Sequence, residues 1–343
     1  MARRWAVAIA LSAMLVLGGC RGDETDPTRP SEPGQNSTTG AVQDPVGRIV
    51  FNRGTPDTGD IVTFTINPDG SDEQQLFVAG GSENPRWSPD GTEIHIFCCG
   101  DGMVAHFINP FTGDLRSLEP PDPAVELFCG GAWSPDGERV ACEGYGVRDP
   151  SRNGLYWIRS SDGSDLEQIT SSVGEDIPGD FSPDGERVVF VRRAENGRVG
   201  IFVTNVDGSG LRRISGRDQL VDDIFGGSWS PDGSQILFVA RETEDHHKAI
   251  WVVNADGTSP HPLRIDGTCG GPLSDPGSFG CYSPSWSPDG TKIVFVRSTP
   301  DPSAPAGFHE NVYTVSANGT GLIQVTNGGF DDNPDWGTPP ASP

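Results

Sequence analysis

One phrase governs what this chain can fold into. Trp87-Ser88-Pro89-Asp90-Gly91 returns at Trp133–Gly137, Phe181–Gly185, Trp229–Gly233 and Trp286–Gly290, and a shortened copy, Asp335-Trp336-Gly337, stands near the end. The aromatic residues are spaced 46, 48, 48, 57 and 50 residues apart, a period that signals the blades of a β-propeller. In each phrase the aromatic ends one strand and packs between blades. Pro presets φ at the second turn position and Gly accepts positive φ at the fourth, so the phrase predicts a hairpin. The strand that follows is almost wholly apolar, as in Val188-Val189-Phe190-Val191, Ile236-Leu237-Phe238-Val239 and Ile293-Val294-Phe295-Val296, which suits burial on both faces. A third strand such as Ile250-Trp251-Val252-Val253 leads into a second turn, Asn254–Gly257, with counterparts at Asn67–Gly70, Ser161–Gly163, Asn205–Gly208 and Ala317–Gly319. The polar strand beyond, for example Leu211-Arg212-Arg213-Ile214, reads as an outer edge where charge discourages pairing with another chain.

The two ends complete the count. Arg48-Ile49-Val50-Phe51-Asn52-Arg53 has the character of a second strand, yet no aromatic phrase precedes it; the missing strand stands at the other terminus, Asn333-Pro334-Asp335-Trp336. The expectation is an all-β, six-bladed β-propeller of four-stranded antiparallel blades, its ring closed by the N- and C-terminal strands over residues 46–338. Closure protects the sheet edges that an open array would expose. The Trp-Ser-Pro-Asp-Gly phrase followed by its apolar strand resembles the TolB-like, WD-type propeller repeat of bacterial cell-envelope proteins. That resemblance covers nearly all of the exported chain. It implies the fold and leaves the role open among protein-binding scaffolds, propeller halves of peptidases and other exported proteins. No counterpart of the amino-terminal domain carried by the family's namesake is expected here.

The amino terminus predicts export. Arg3 and Arg4 precede an apolar run from Trp5 to Leu17, and Leu17-Gly18-Gly19-Cys20 matches a bacterial lipoprotein processing signal; the run is too short for a membrane span, which needs about 20 apolar residues. Residues 1–19 are therefore read as a signal peptide, with Cys20 left to carry lipid, since more than one acyl chain gives lasting attachment. Residues 20–45, rich in Pro, Thr, Ser, Gly and Asp, read as a flexible tether with a reach of about 25 to 30 Å, and residues 339–343 as a disordered tail. The expected location is the extracytoplasmic side of the bacterial membrane.

Asp and Glu total 48 against 24 Lys and Arg, a formal charge of −24, which repels nucleic acid and anionic lipid. Much of that acidity is turn chemistry, because Asp90, Asp136, Asp184, Asp232 and Asp289 share one turn position. Apart from Cys20 there are six cysteines, Cys98, Cys99, Cys129, Cys142, Cys269 and Cys281, and an even count in an exported chain favours disulfides. Folding the hairpin about Pro135-Asp136 brings Cys129 opposite Cys142, while Cys269 and Cys281 flank the Gly-rich loop in the longest interval. Cys98 and Cys99 stay unassigned between a vicinal bridge, a free pair and exchange with Cys129. No zinc-ligand spacing is present.

Strand direction puts both kinds of turn on one face and the variable connections on the other. Rigidly held loops are where recognition usually resides, so the variable face is the candidate binding face, with Asp176, Asp222, Asp223, His246, His247 and Asp332 as its candidate residues. Glu83, Asp176, Asp222, Asp223, Asp331 and Asp332 precede the inner strands, and Arg53, Arg192, Arg241 and Arg297 end the adjoining ones; fastening Asp–Arg pairs are expected before a cation site. His246 and His247, with Glu242, Glu244 and Asp245, form the most metal-like local cluster, but neighbouring ligands on one loop seldom suffice. His95 aligns with apolar residues of sibling strands and reads as a packing residue. No Gly-x-Ser-x-Gly elbow and no phosphate-cradling Gly-x-x-x-x-Gly-Lys-Ser/Thr loop exists. The reading is a monomeric, membrane-tethered propeller binding a protein, peptide or glycan of the cell envelope, with no catalytic residue or cofactor assigned. The alternative is a metal-dependent hydrolase, lactonase- or glycosidase-like, using a divalent cation such as Ca²⁺ at the acidic channel mouth.

Overall fold

The computed structural model describes residues 47–338 apart from 56–59, 77–82, 98–102, 216–219, 222–226, 267–268, 276, 278 and 305–306. The expectations placed on Cys20, the leader and tether, Cys98, Cys99, Asp222, Asp223 and the tail lie outside the described residues. Six sheets, each of four antiparallel layers, form the ring. Blade 1 runs from Asp331–Trp336 at the channel through Ile49–Gly54 and Ile61–Ile66 to Gln74–Gln75 at the rim. Closure therefore uses both ends of the propeller: Trp336 pairs with Ile49 and Asp335 with Val50, and the Gly337 amide donates to the Arg48 carbonyl at 3.0 Å. A Cβ on Gly337 would sit 2.2 Å from the Trp87 ring, so the closing strand ends where glycine lets the next blade's Trp lie against its backbone.

Each repeated aromatic is buried between two blades. Trp229 shares one cluster with Val189 and Val191 of blade 4 and Phe238 of blade 5, and Trp336 joins Val294 and Val312 of blade 6 to Ile49 and Phe51 of blade 1. Within blades the apolar second strands are fully buried, and Phe190 stacks on Phe202 at 5.8 Å and Phe295 on Tyr313 at 6.1 Å. Burying an aromatic or branched side chain of this kind stabilises by about 1.5–3 kcal/mol. His95, fully buried, stacks on Phe107 at 5.1 Å, and burial pushes its imidazole down to about 3. It is neutral packing material.

The Ser-Pro-Asp-Gly turns repeat one hydrogen-bond pattern. In the first, Ser88 Oγ donates to Asp90 Oδ1 at 2.6 Å, that oxygen also accepts from the Thr92 amide at 3.0 Å, and Ser88 Oγ accepts from the Glu93 amide at 2.9 Å. Gly91 takes the left-handed φ of 69° that closes the hairpin. The same bonds recur at Ser134–Asp136, Ser182–Asp184, Ser230–Asp232 and Ser287–Asp289. These aspartates are structural by construction.

Two blades depart from regularity at the channel. In blade 3 the inner strand Val125–Phe128 stops early and Trp133 meets Val140 through a lone bridge, with a Cys129–Cys142 disulfide joining the two strands in between. In blade 5 the inner layer is two short pieces, Leu220–Val221 and Ser228–Trp229, both paired with Gln235–Arg241. A second disulfide, Cys269–Cys281, closes the long connection into blade 6.

Candidate functional site

The residue just before each aromatic defines a layer of the central channel: Arg86, Ala132, Asp180, Ser228, Ser285 and Asp335. Four blades aim this residue with a bulge: in blade 4 the register slips between Pro178 and Asp180, and the other three share a left-handed residue. Asn84, Ser283 and Asn333, each three residues before the aromatic and followed by Pro, take φ of 51°, 50° and 50°, and strand register slips beside them. Asn is among the residues that tolerate this conformation best, and a bulge re-aims side chains without ending the strand.

These channel residues enclose a cavity of about 230 Å³ that opens toward the turn face, where Pro89, Pro135, Pro231 and Pro288 form its rim. Asp335 is engaged, accepting from the Trp87 amide at 2.9 Å and from Ser285 Oγ at 2.8 Å. Asp180, on the opposite side of the ring, accepts from the Trp229 amide at 3.0 Å. Burial, with Asp335 as a like charge, pushes the Asp180 carboxyl up to about 7 despite that bond and the field of Arg86. Nearer the variable face, Asp332 accepts from the Asn333 amide at 2.7 Å and Ser283 Oγ at 3.2 Å, and burial likewise raises its pKa.

The other expected site residues are placed apart. Asp176 is fully buried and clamped by Arg192 through bonds of 2.7 and 2.6 Å, with Thr170 Oγ1 donating at 2.6 Å. It fastens the hairpin, as Asp331 does with Arg53 at 2.5 Å. Arg297 behaves differently: its guanidinium lies 4.4 Å from the Phe279 ring centroid. His246 bonds Thr243 Oγ1 at 2.5 Å with Glu242 3.9 Å away, while burial lowers the pKa of His247. Among the described residues no group of three or more His, Cys, Asp and Glu side chains is placed to hold a metal ion.

Three features escaped the sequence reading. One is the channel trio Arg86, Asp180 and Asp335, visible in sequence only as the residue before each aromatic. Another is a pair of half-buried tyrosine–glutamate contacts on the variable side. Tyr145 donates to Glu143 and Tyr282 to Glu310, and burial pushes both glutamates up to about 7. The third is a knot of loops at blades 3 and 4. The Val147 amide bonds the Ala124 carbonyl at 3.0 Å, Arg152 pairs with Asp122 at 2.7 Å, and Ser172 reaches the Asn153 carbonyl at 3.0 Å. A short 3₁₀ turn, Pro150–Arg152, is capped by Asp149, and Tyr156 Oη donates to the Arg152 carbonyl at 2.6 Å. On these fixed loops Val147 is 59% exposed and Val173 76%.

The ring, its repeated turns and its charged channel define a closed six-bladed propeller. The TolB beta propeller domain family matches residues 69–264, more than half of the 343 residues, and the chain belongs to that family. An uncharacterized protein of Agrobacterium fabrum (strain C58) is 30% identical over 229 residues, 62% of this chain and 69% of that protein. Among solved structures, TolB from Acinetobacter baumannii superposes with a TM-score of 0.62 at 18% identity, over 84% of this chain. The chain spans 66% of that TolB chain's length. A putative TolB from Agrobacterium tumefaciens gives 0.58 at 19% identity over 83% of this chain and 88% of its own. An oligogalacturonate lyase in complex with manganese gives 0.53 at 14%, over 82% and 74%. At these identities the structural likeness speaks to fold alone.

Proposed function

We propose that the chain is a membrane-tethered, extracytoplasmic scaffold that captures a cell-envelope protein through its variable face, at the loop knot of blades 3 and 4. The observation that carries this reading is preorganisation: Val147 and Val173 stand exposed on loops whose backbones are already bonded to one another. Apolar surface on fixed loops is buried by a partner without the cost of ordering them. On the turn face, by contrast, the repeated aspartates spend their hydrogen bonds within the turns. The charge of −24 favours a partner with basic surface around an apolar contact. Export and anchoring through Cys20 are supported by the Leu17-Gly18-Gly19-Cys20 signal and by the two disulfides, which suit an oxidising compartment.

The test is site-specific photocrosslinking in cells, with the crosslinker at position 173 or, as a control on the turn face, at position 256. A discrete adduct from 173, absent from 256 and lost with Val147→Asp, is the expected result. Equal adducts from both positions would sink it. A parallel hydrolase screen with added divalent metal addresses the rival reading: metal-dependent turnover of a lactone, ester or glycoside would replace the scaffold assignment. Fractionation of Cys20→Ser, expected in the soluble extracytoplasmic fraction, tests the anchor separately.

A further inference from the structure

We propose that the turn-face end of the central channel is a binding site for a free α-amino acid, with Arg86 receiving its carboxylate and Asp180 its ammonium group. Arg86 stands out among the arginines that are not exposed at the surface. Arg192 holds Asp176 through two bonds, Arg116 holds Glu93 through two, and Arg53 spans Glu73 and Asp331. Others lie on aromatic faces, Arg139 at 4.2 Å from the Trp157 ring and Arg187 at 4.8 Å from that of Trp229. Arg86 has neither kind of partner among the described residues; its one hydrogen bond, at 3.4 Å, is to the carbonyl of Pro85 in its own strand. A guanidinium carries five donors in a fork shaped for a carboxylate. Here Arg86 lines the cavity that opens toward the turn face, and among the described residues no carboxylate is bonded to its fork.

Asp180 supplies the opposite pole of the same cavity. Its Oδ2 is held by the Trp229 amide, which fixes the carboxylate's position and leaves it capacity to accept from an ammonium. Ala132 and Ser228 occupy the blades on either side of Asp180 at the same level, so small side chains leave room around it. Asp335, committed to the Trp87 amide and Ser285, forms the far wall. The volume, about 230 Å³, suits a small amino acid and is too small for a folded segment. A pocket with few polar groups of both signs inside an apolar rim selects ligands by matching charges at both ends. This site lies on the face opposite the loop knot, and its occupancy is independent of the partner-capture reading.

Isothermal titration of the full chain in detergent with glycine, L-alanine, L-serine and L-lysine, and with N-acetyl-L-alanine, L-alaninamide and calcium chloride as controls, tests the site. The free amino acids are expected to bind saturably, and masking either charge to weaken binding by at least about tenfold. Arg86→Gln should abolish the preference of L-alanine over L-alaninamide. Asp180→Asn should weaken L-alanine and L-alaninamide alike. Both variants should melt as cooperatively as the parent, because Arg86 fastens no other element and Asn keeps an acceptor for the Trp229 amide. Equal binding of L-alaninamide or of calcium alone would show a simple cation site and overturn the proposal, as would equal binding of N-acetyl-L-alanine or no saturable binding of any free amino acid.

Discussion

Asp180 and Asp232 are one residue type in two settings of the same ring. Asp232 sits in a repeated turn, where Ser230 Oγ at 2.6 Å, the Ser234 amide at 3.0 Å and Ser234 Oγ at 2.7 Å hold its carboxyl below the usual range. Asp180 faces the channel with only the backbone amides of Trp229 and Phe181 as donors, and burial drives it up to about 7. The turn carboxylate is surrounded by donors it has itself organised, whereas the channel carboxylate has been desolvated without enough of them. Repetition in this chain marks groups whose chemistry is spent on folding. Unspent chemistry collects where the repeat is broken.

The comparison fails at once if the ring itself is not what holds the channel together. Truncation before Asp331 removes the inner layer of blade 1, its pairing with Ile49–Gly54 and the Trp336 cluster between blades 6 and 1. Unpaired backbone and open apolar surface follow. Loss of the cooperative transition in scanning calorimetry is the expected outcome; a truncated protein melting like the parent would contradict closure. Next in size is the Cys129–Cys142 bridge, which spans the interrupted inner strand of blade 3 and closes a 13-residue separation. Replacing both cysteines with Ser should cost about 3 kcal/mol on the chain-entropy account, read as a lower denaturant midpoint with little change in slope.

Paired substitutions sharpen the contrast between the two aspartates. Ser182, fully buried, accepts from the Arg187 amide at 3.0 Å; Ser182→Ala orphans that donor and should cost about 1–3 kcal/mol at neutral pH. Asp180→Asn should act in the other direction and only as pH rises. Its folded pKa, about 7, exceeds the unfolded value near 3.8, so the stability tied to its protonated form is full below the unfolded value. That stability is lost progressively as pH climbs to about 7. Asn cannot ionise, so the variant should match the parent near pH 3 and exceed it near pH 8, in urea titrations across that range. The groups facing Asp180, Asp335 as a like charge and Arg86 as an opposing one, are retained in the variant. Glu143 and Glu310, raised in the same direction, cancel in the difference. A parallel offset at all pH values would mean that Asp180 is not desolvated.

How much of this was legible beforehand follows the same divide. The blade count, the closing strand and the buried second strands were readable because turn chemistry and apolar runs recur with a period, and a repeated local cause leaves a repeated local signal. The two disulfide pairs lie where hairpin folding and loop length direct them. The channel was not legible in that way. Arg86, Asp180 and Asp335 are 94 and 155 residues apart in succession, and they meet because the ring superimposes one blade position on the next. The left-handed residues Asn84, Ser283 and Asn333, each before a proline, were the available signal. The fastening Asp–Arg pairs were legible for a related reason: Asp176 before an inner strand and Arg192 at the end of the adjoining one fall opposite each other in the hairpin, and the salt bridge between them spends a charge that the sequence also offered to the binding face.

The smallest effect on stability should accompany the largest effect on partner capture. Val147 and Val173 bury little of themselves, at 59% and 76% exposure, and the bonds that fix their loops come from backbone and from Asp122, Asp149, Arg152 and Asn153. Val147→Asp with Val173→Asp therefore removes little packing and should shift stability by no more than about 0.5 kcal/mol. A basic, apolar-centred partner would lose its central contact in that double variant, and capture should fall while the melt stays in place. Arg152→Ala separates the two contributions: it leaves both valines but cuts the tie to Asp122 at 2.7 Å, so the loop must be ordered at the moment of binding. If preorganisation is the source of affinity, Arg152→Ala should weaken capture by slowing association more than by hastening dissociation, as read by surface plasmon resonance with the crosslinked partner. Unchanged kinetics in Arg152→Ala would mean that the exposed valines act without the knot beneath them.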